Sequence, residues 1–195
     1  MKEIVIASGN EGKIKEVQEI LKDYKIVSIK DLGVDVDVEE DQPTFKLNAI
    51  KKAESIANLV KGKWCIADDS GIEIESLNGF PGVYTKRWLN GTDRERNLQI
   101  IEKVKGFPKN KRKIKYTTAI ALSNGKHTIC ELGTINGFVS NEPRGENGFG
   151  FDEIFELDNG KTLSELTNEE KNQISARKMA LEKIKQSLIS NKYEL

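Results

Sequence analysis

The chain has 195 residues, and its 31 Lys plus Arg balance 31 Asp plus Glu, so the formal net charge is zero. That balance argues against a general nucleic-acid or membrane-surface binder, but not against a small anionic ligand held by a few chosen cations. A chain this long buries roughly 70% of its unfolded surface without staples, as one large domain or as two lobes sharing a core. Its two cysteines, Cys65 and Cys130, make no disulfide framework and fit a reducing, cytoplasmic setting. Cys65, within Trp64-Cys65-Ile66-Ala67, reads as a small buried hydrophobe. The apolar N-terminal run is too short for a signal peptide or a membrane span.

In chain order, residues 3–7 read as a short buried strand, and Ser8-Gly9-Asn10-Glu11-Gly12 as a turn. Ile14, Val17, Ile20 and Leu21 recur at helical spacing, which predicts a helix over 12–22. Residues 25–29 form a second strand. An acidic stretch from Asp35 to Asp41 reads as a solvated loop. Thr44 can cap the next helix, whose apolar stripe is Leu47, Ile50, Ala53, Ile56, Ala57 and Val60. Short strands over 64–67 and 72–75 flank Asp68-Asp69-Ser70-Gly71. Residues 76–91 are loop-rich, and a helix follows over about 93–104.

The basic run from Lys109 to Lys115 reads as a solvated loop. Residues 114–123 and 126–135 are β-rich, and Asn124-Gly125 between them predicts a type I′ turn and a long antiparallel hairpin. His127, the single histidine, reads as an exposed strand residue rather than a catalyst. Gly145, Gly148 and Gly150 mark a loop, a strand follows over 153–156, and the tail beyond 162 is helical. The pattern is α/β with a mixed sheet.

Four segments could carry chemistry. Ser8-Gly9-Asn10-Glu11-Gly12-Lys13 joins a strand to a helix, where unpaired backbone N–H groups, flexible glycines and the Lys13 charge suit a phosphate. It lacks the Walker A spacing, and an ordinary strand–helix turn is the plain alternative. Asp68-Asp69-Ser70-Gly71 follows a buried run. Paired carboxylates there are costly unless they meet a cation, and Mg²⁺ takes one or two carboxylates plus substrate phosphates. The alternative is a turn closing a hairpin. Glu39-Glu40-Asp41 could supply a second carboxylate, or be a solvated loop. In Gly148-Phe149-Gly150-Phe151-Asp152, phenylalanines between glycines could stack on a planar base, or be core residues near a bend.

Together these segments resemble the inosine/xanthosine triphosphate pyrophosphatase family, also called Ham1-like, over essentially the whole chain. The matching pieces are Ser8 to Lys13, Glu39-Glu40, Thr44-Phe45 with Asn48-Ala49 and Lys52-Ala53, Ala67 to Gly71, Gly79 to Tyr84, Glu142 to Gly145, Gly148 to Asp152, and Glu165 to Thr167 with Lys171, Ile174-Ser175 and Arg177. The resemblance implies a single family domain over 1–195: two α/β lobes around an elongated mixed sheet, a central active-site cleft, and a homodimer. It implies Mg²⁺-dependent hydrolysis of ITP, dITP and XTP between the α and β phosphates.

It also implies roles. Residues 8–13 (Ser8, Gly9, Asn10, Glu11, Gly12, Lys13) and Lys52 would cradle the triphosphate. Asp69 would be the metal-linked base, and Glu40, with Glu39, the further carboxylates of the metal site. Ser70, Phe149, Gly150, Phe151, Asp152, Lys171, Ala176 and Arg177 would line the base and sugar pocket.

Three positions depart from the family pattern: Ser8 for Thr, Phe151 for Tyr, and Ala176 for a histidine beside Arg177. Two other readings are a Maf-like pyrophosphatase acting on dTTP or UTP and a non-catalytic nucleotide sensor. The Phe149–Asp152 segment with Lys171 disfavours the first, and the Asp68-Asp69 pair disfavours the second. Lys171 and Arg177 stand six residues apart, on different faces of an unbroken helix. Their shared pocket therefore predicts a break between them, with Ser175 capping the last helix and Thr167-x-x-Glu170 forming a capping box.

Overall fold

The structure, a computed structural model, describes residues 2–190. In chain order the elements are β1 (Lys2–Ile6), α1 (Glu11–Ile20), β2 (Tyr24–Ser28), α2 (Phe45–Leu59), β3 (Trp64–Ile74), β4 (Phe80–Pro81), α3 (Asp93–Lys103), β5 (Lys113–Ser123), β6 (Thr128–Val139), β7 (Phe155–Glu156), α4 (Asn168–Gln173) and α5 (Ala176–Ser190). The strands run in the order β2-β1-β3-β5-β6-β7, with β4 added to β3. β1 pairs in parallel with β2 and β3, while β3–β4 and β6–β7 are antiparallel, so the α/β chain carries a mixed sheet.

Two compact units divide the chain, and β3, β5 and β6 contribute residues to both. The first draws on Met1–Ser70, Thr118–Gly133 and Ala176–Leu195. Strand alternation sorts its core onto two faces. Ile4, Ile6, Trp64, Ile66, Ile120 and Leu122 pack with Val17 of α1, with Leu21 at its C-cap, and with Ala180, Leu181 and Ile184 of α5. Val5 and Cys65, pointing the other way, pack with Ile56 and Ala57 of α2. Burial pushes the Cys65 thiol up to about 12, so it remains a neutral filler. The second unit draws on Gly71–Thr117 and Thr134–Ser175. Its core joins Ile72, Ile74, Ile100, Val104, Ile114, Val139, Phe151, Ile154, Phe155, Leu163 and Leu166.

The helix starts follow their caps. Asn10 accepts from Lys13 N–H and Thr44 from Leu47 N–H. Thr92 and Thr167 form capping boxes with Glu95 and Glu170. The predicted break also stands: α4 ends at Gln173 and α5 begins at Ala176, which leaves Ser175 at the N-cap position.

Several expectations are corrected. The two short strands around Asp68–Gly71 are one eleven-residue strand, β3, so there is no turn there. Two acids can lie inside a strand because each finds partners on the neighbouring elements, as described below. The Asn124-Gly125 turn is not type I′. Gly125 has φ +83°, but Asn124 is not among the positive-φ residues. Instead the Asn124 side chain accepts from Lys126 and His127 N–H at 3.0 and 2.8 Å, giving a four-residue connection. His127 therefore lies in the connection, exposed, and not in a strand. The expected strand over 153–156 shrinks to two residues. Lys109–Lys115 is not a free loop. It enters β5, and Lys109, Lys113 and Lys115 pair with Glu156, Glu75 and Glu73.

Candidate functional site

In the first unit, β1 delivers the chain to Ser8, whose Oγ accepts the Asn10 N–H at 3.1 Å. Asn10 then caps α1. Glu11 and Gly12 are exposed in the first turn of this helix, the end that favours anions. Gly9 lets the end of the Lys30 side chain lie close over the loop: a Cβ there would stand 2.8 Å from its Nζ, and the lysine would have to swing aside. Lys30 was not singled out in the sequence, because nothing in the chain order shows that the residue after β2 folds back over this loop.

The neighbouring acids of β3 have opposite fates. Asp68 takes the Lys13 ammonium on both oxygens, at 2.9 and 2.7 Å, and the Arg177 guanidinium at 3.2 Å. Arg177 also reaches Glu16 at 3.1 Å. These groups lie over Ile6, Val17, Ile66 and Ile120, in a pocket that water screens poorly. Burial pushes the Asp68 pKa up, but Lys13 and Arg177 outweigh it and hold the carboxyl at about 2.

Asp69 points to the other face of the sheet, as strand alternation demands. Its Oδ2 accepts from Asn48 Nδ2 and its Oδ1 from the Ser70 amide, both at 2.9 Å. Burial raises it, the Glu40 charge adds to that, and Asn48, Lys52 and Ser70 offset the two only in part. The carboxyl stands at about 6. Lys52, on α2, donates to Glu40 and to the Asp68 carbonyl oxygen. Glu40 is thus turned toward Asp69 and Lys52, whereas Glu39 is exposed.

In the second unit, the Gly148–Asp152 loop is held from both sides. Asn97 of α3, fully buried, donates to the Gly150 carbonyl at 2.8 Å, and Asp93 accepts the Gly150 N–H at 3.1 Å. Asp152 accepts the Phe149 N–H at 2.9 Å and the Lys171 ammonium from α4. Gly148, at φ +85°, leaves room for both the Asp152 carboxylate and Lys171 Nζ, which a Cβ would strike. The two phenylalanines divide. Phe149 is 64% exposed with Lys171 Nζ 4.9 Å from its ring centre, while Phe151 is 7% exposed within the core. For Phe151 the core alternative holds.

Residues 8–13, Glu40, Lys52, Asp69, Ser70, Ala176 and Arg177 thus belong to the first unit, and Phe149, Gly150, Phe151, Asp152 and Lys171 to the second. Arg177 is engaged with Asp68 and Glu16. Ala176 is 2% exposed, and its carbonyl lies against the backbone of Gly133 on β6. Asn48, Asn97 and Asp93 carried no predicted role. For Asn48 the signals in the chain are an asparagine within the apolar stripe of α2 and its place among the family-matching pieces.

Among the described residues no three His, Cys, Asp or Glu side chains form a ready-made metal cluster, and no helix is long and apolar enough to cross a membrane.

The model of the Ham1 family matches residues 4–187. A Bacillus subtilis protein named dITP/XTP pyrophosphatase is 43% identical, with 96% of this chain and 98% of that protein covered. One of the same name from Caldanaerobacter subterraneus is 39% identical, with 97% of each covered. Among solved structures, the Staphylococcus aureus Ham1 protein superposes with a TM-score of 0.89 at 38% identity, over 98% of this chain and 100% of that one. A HAM1 protein from Coxiella burnetii does so with a TM-score of 0.88 at 39% identity, over 97% and 99%. With nearly all of its length matched in sequence and in fold, the chain belongs to the Ham1 family.

Proposed function

We propose that this Ham1-family enzyme hydrolyses the aberrant purine nucleoside triphosphates ITP, dITP and XTP, with Mg²⁺, to the monophosphate and pyrophosphate. The observation that carries the reading is the split between Asp68 and Asp69. One acid is neutralised by Lys13 and Arg177. The other keeps a carboxyl poised near 6 beside Glu40, as a proton acceptor working near neutral pH requires. The relatives named dITP/XTP pyrophosphatase support the substrate class.

A divalent cation fits the donor set. Asp69 and Glu40 offer hard carboxylate oxygens, and burial, with the Glu40 charge added to it, raises the Asp69 pKa, a cost that a cation would relieve. When bound, Mg²⁺ supplies charge that neutralises phosphate oxygens and acidifies a water.

This chain's residues do the rest. Lys13, Lys52 and the backbone of residues 8–12 bind the phosphates. Asp69 orients the attacking water and takes its proton as the water oxygen bonds to phosphorus. The α–β bridging bond then breaks and pyrophosphate leaves. Phe149 offers its exposed face to the base, with Gly150, Asp152 and Lys171 around it and Phe151 supporting the loop from the core. Homodimerisation and a cytoplasmic location belong to the same reading.

Product analysis tests it. Incubated with ITP or XTP and Mg²⁺, the enzyme is expected to release pyrophosphate and monophosphate in equal amounts, with little turnover of GTP or UTP. Release of orthophosphate with a nucleoside diphosphate would overturn the reading, and preference for UTP would favour the Maf-like one.

Ala176 stands where the resemblance implies a base-reading histidine. Replacing it, Ala176→His, should restore one hydrogen bond, about 0.5–1.5 kcal/mol, and so raise kcat/KM for ITP over GTP several-fold. Because the position is buried, overpacking should also lower the melting temperature by a few degrees. An unchanged ITP-to-GTP ratio would show that position 176 does not face the base.

A further inference from the structure

Asn48 is 1% exposed, and both ends of its amide are committed. Its Oδ1 accepts the main-chain N–H of Gln42 at 2.9 Å, and its Nδ2 donates to Asp69 Oδ2 at 2.9 Å. The two bonds fix the amide orientation, because an N–H group and a carboxylate oxygen cannot exchange places as partners. Gln42 lies two residues beyond Glu40 in the loop that precedes α2. Lys52, one turn along the same helix face, bonds to Glu40 and to the main chain of Asp68. Asn48 therefore ties the loop that carries Glu40 to the strand that carries Asp69, at the level of the two carboxylates.

Nothing in helix formation asks for asparagine here. It is a poor helix former, and its buried neighbours on α2 are Phe45, Ala49, Ala53 and Ile56. A buried amide is costly unless hydrogen-bonded, and both polar atoms of this one have a partner. Lys52 supplies charge to the same region, but a flexible ammonium fixes direction poorly compared with a planar amide held at both ends.

We propose that Asn48 is a positioning residue that sets the spacing and orientation of the Glu40 and Asp69 carboxylates for a divalent cation. The proposal rests on the metal-dependent reading above. Without the amide, Asp69 Oδ2 loses its one side-chain donor and the loop loses its anchor to α2. The two acids then no longer present their oxygens together. The phosphate cradle at residues 8–13 is untouched by the change.

The test is Mn²⁺ binding to the full-length protein without nucleotide, followed by the electron paramagnetic resonance of free Mn²⁺. Wild type is compared with Asn48→Leu, Asn48→Ser and Asp69→Asn. Both Asn48 variants should bind Mn²⁺ at least about tenfold more weakly, the usual cost of removing a group that orients a metal ligand. They should also need a correspondingly higher Mg²⁺ concentration for half-maximal activity. At saturating Mg²⁺ their KM for ITP should stay within about twofold of wild type, since the phosphates are held elsewhere. A general packing defect would not separate the metal requirement from KM in this way.

If the leucine variant fails to fold, the smaller serine, which cannot span both partners, decides. Folded Asn48 variants with wild-type Mn²⁺ affinity, alongside an Asp69→Asn variant that has lost it, would overturn this proposal alone. Mn²⁺ binding that survives Asp69→Asn would overturn the metal-site reading and this proposal together.

Discussion

Asp69→Asn is expected to cut turnover at least about a hundredfold and, at the same time, to make the metal-free protein harder to melt at pH 8. The loss follows from the role: an amide neither accepts the proton of an attacking water nor offers a charged oxygen to a cation, and general-base catalysis contributes about 10²–10⁴-fold. The gain follows from the carboxyl's environment. Its pKa rises from 3.8 to about 6, mainly through burial. A carboxyl raised on folding is disfavoured in its ionised form by the folded state. The penalty is absent below the unfolded pKa of 3.8, grows between 3.8 and about 6, and is complete above that.

At about 1.4 kcal/mol per unit, two units cost roughly 3 kcal/mol at pH 8. The amide recovers only part of this, because one of the two donors, Asn48 Nδ2 or the Ser70 N–H, then meets an NH₂ group. A net gain of about 1–2 kcal/mol corresponds to about 2–8 °C for a chain of this size. Melting curves in chelator are expected to show the gain at pH 8 and none at pH 3.5. Equal melting temperatures at pH 8, with activity lost, would mean that the Asp69 carboxylate is not strained in the free enzyme. Saturating Mg²⁺ should narrow the gap by stabilising the wild type.

Much of this arrangement was legible in the chain. Periodicity placed α1, α2 and α3 to within a residue or two, because each begins at a side chain that caps it. The separation of α4 from α5 followed from asking how Lys171 and Arg177 could serve one site. The break is there, and Arg177 just beyond it bonds to Asp68 and Glu16. Asp68-Asp69 looks like an interruption between two short strands, because polar residues between apolar runs break the strand pattern. Only side chains from elsewhere in the chain, Lys13, Asn48 and Arg177, let two acids remain within β3. Asn124-Gly125 was misread for a local reason, since asparagine can close a turn with its side chain instead of a left-handed backbone. Neighbouring residues on a strand face opposite ways, but spacing alone does not say which acid meets the cations.

That difference sets the second large effect, of opposite sign and one residue away. Asp68→Asn is expected to destabilise the protein by about 3 kcal/mol, lowering the melting temperature by about 6–12 °C at pH 7. Asp68 is 9% exposed, and it faces Lys13 and Arg177, whose side chains are 24% and 9% exposed. Removing the anion leaves two cations pressed together over an aliphatic floor, and only Arg177 keeps another carboxylate, Glu16. Because Arg177 retains that partner, the loss falls at the low end of the range for breaking a buried pair.

The acid profile provides the check. A carboxyl depressed on folding adds stability that is complete above the unfolded pKa of 3.8 and is lost as pH falls through about 2. The gap between wild type and Asp68→Asn should therefore close between pH 3.8 and 2, whereas the Asp69→Asn gap closes between about 6 and 3.8. A second change separates repulsion from lost packing. Lys13→Met keeps most of the side-chain volume but removes the charge, so Asp68→Asn with Lys13→Met should melt above Asp68→Asn alone. If the double variant melts lower still, by the sum of the single losses, the two groups are not coupled and the assignment of Lys13 as the partner of Asp68 in the free enzyme is wrong.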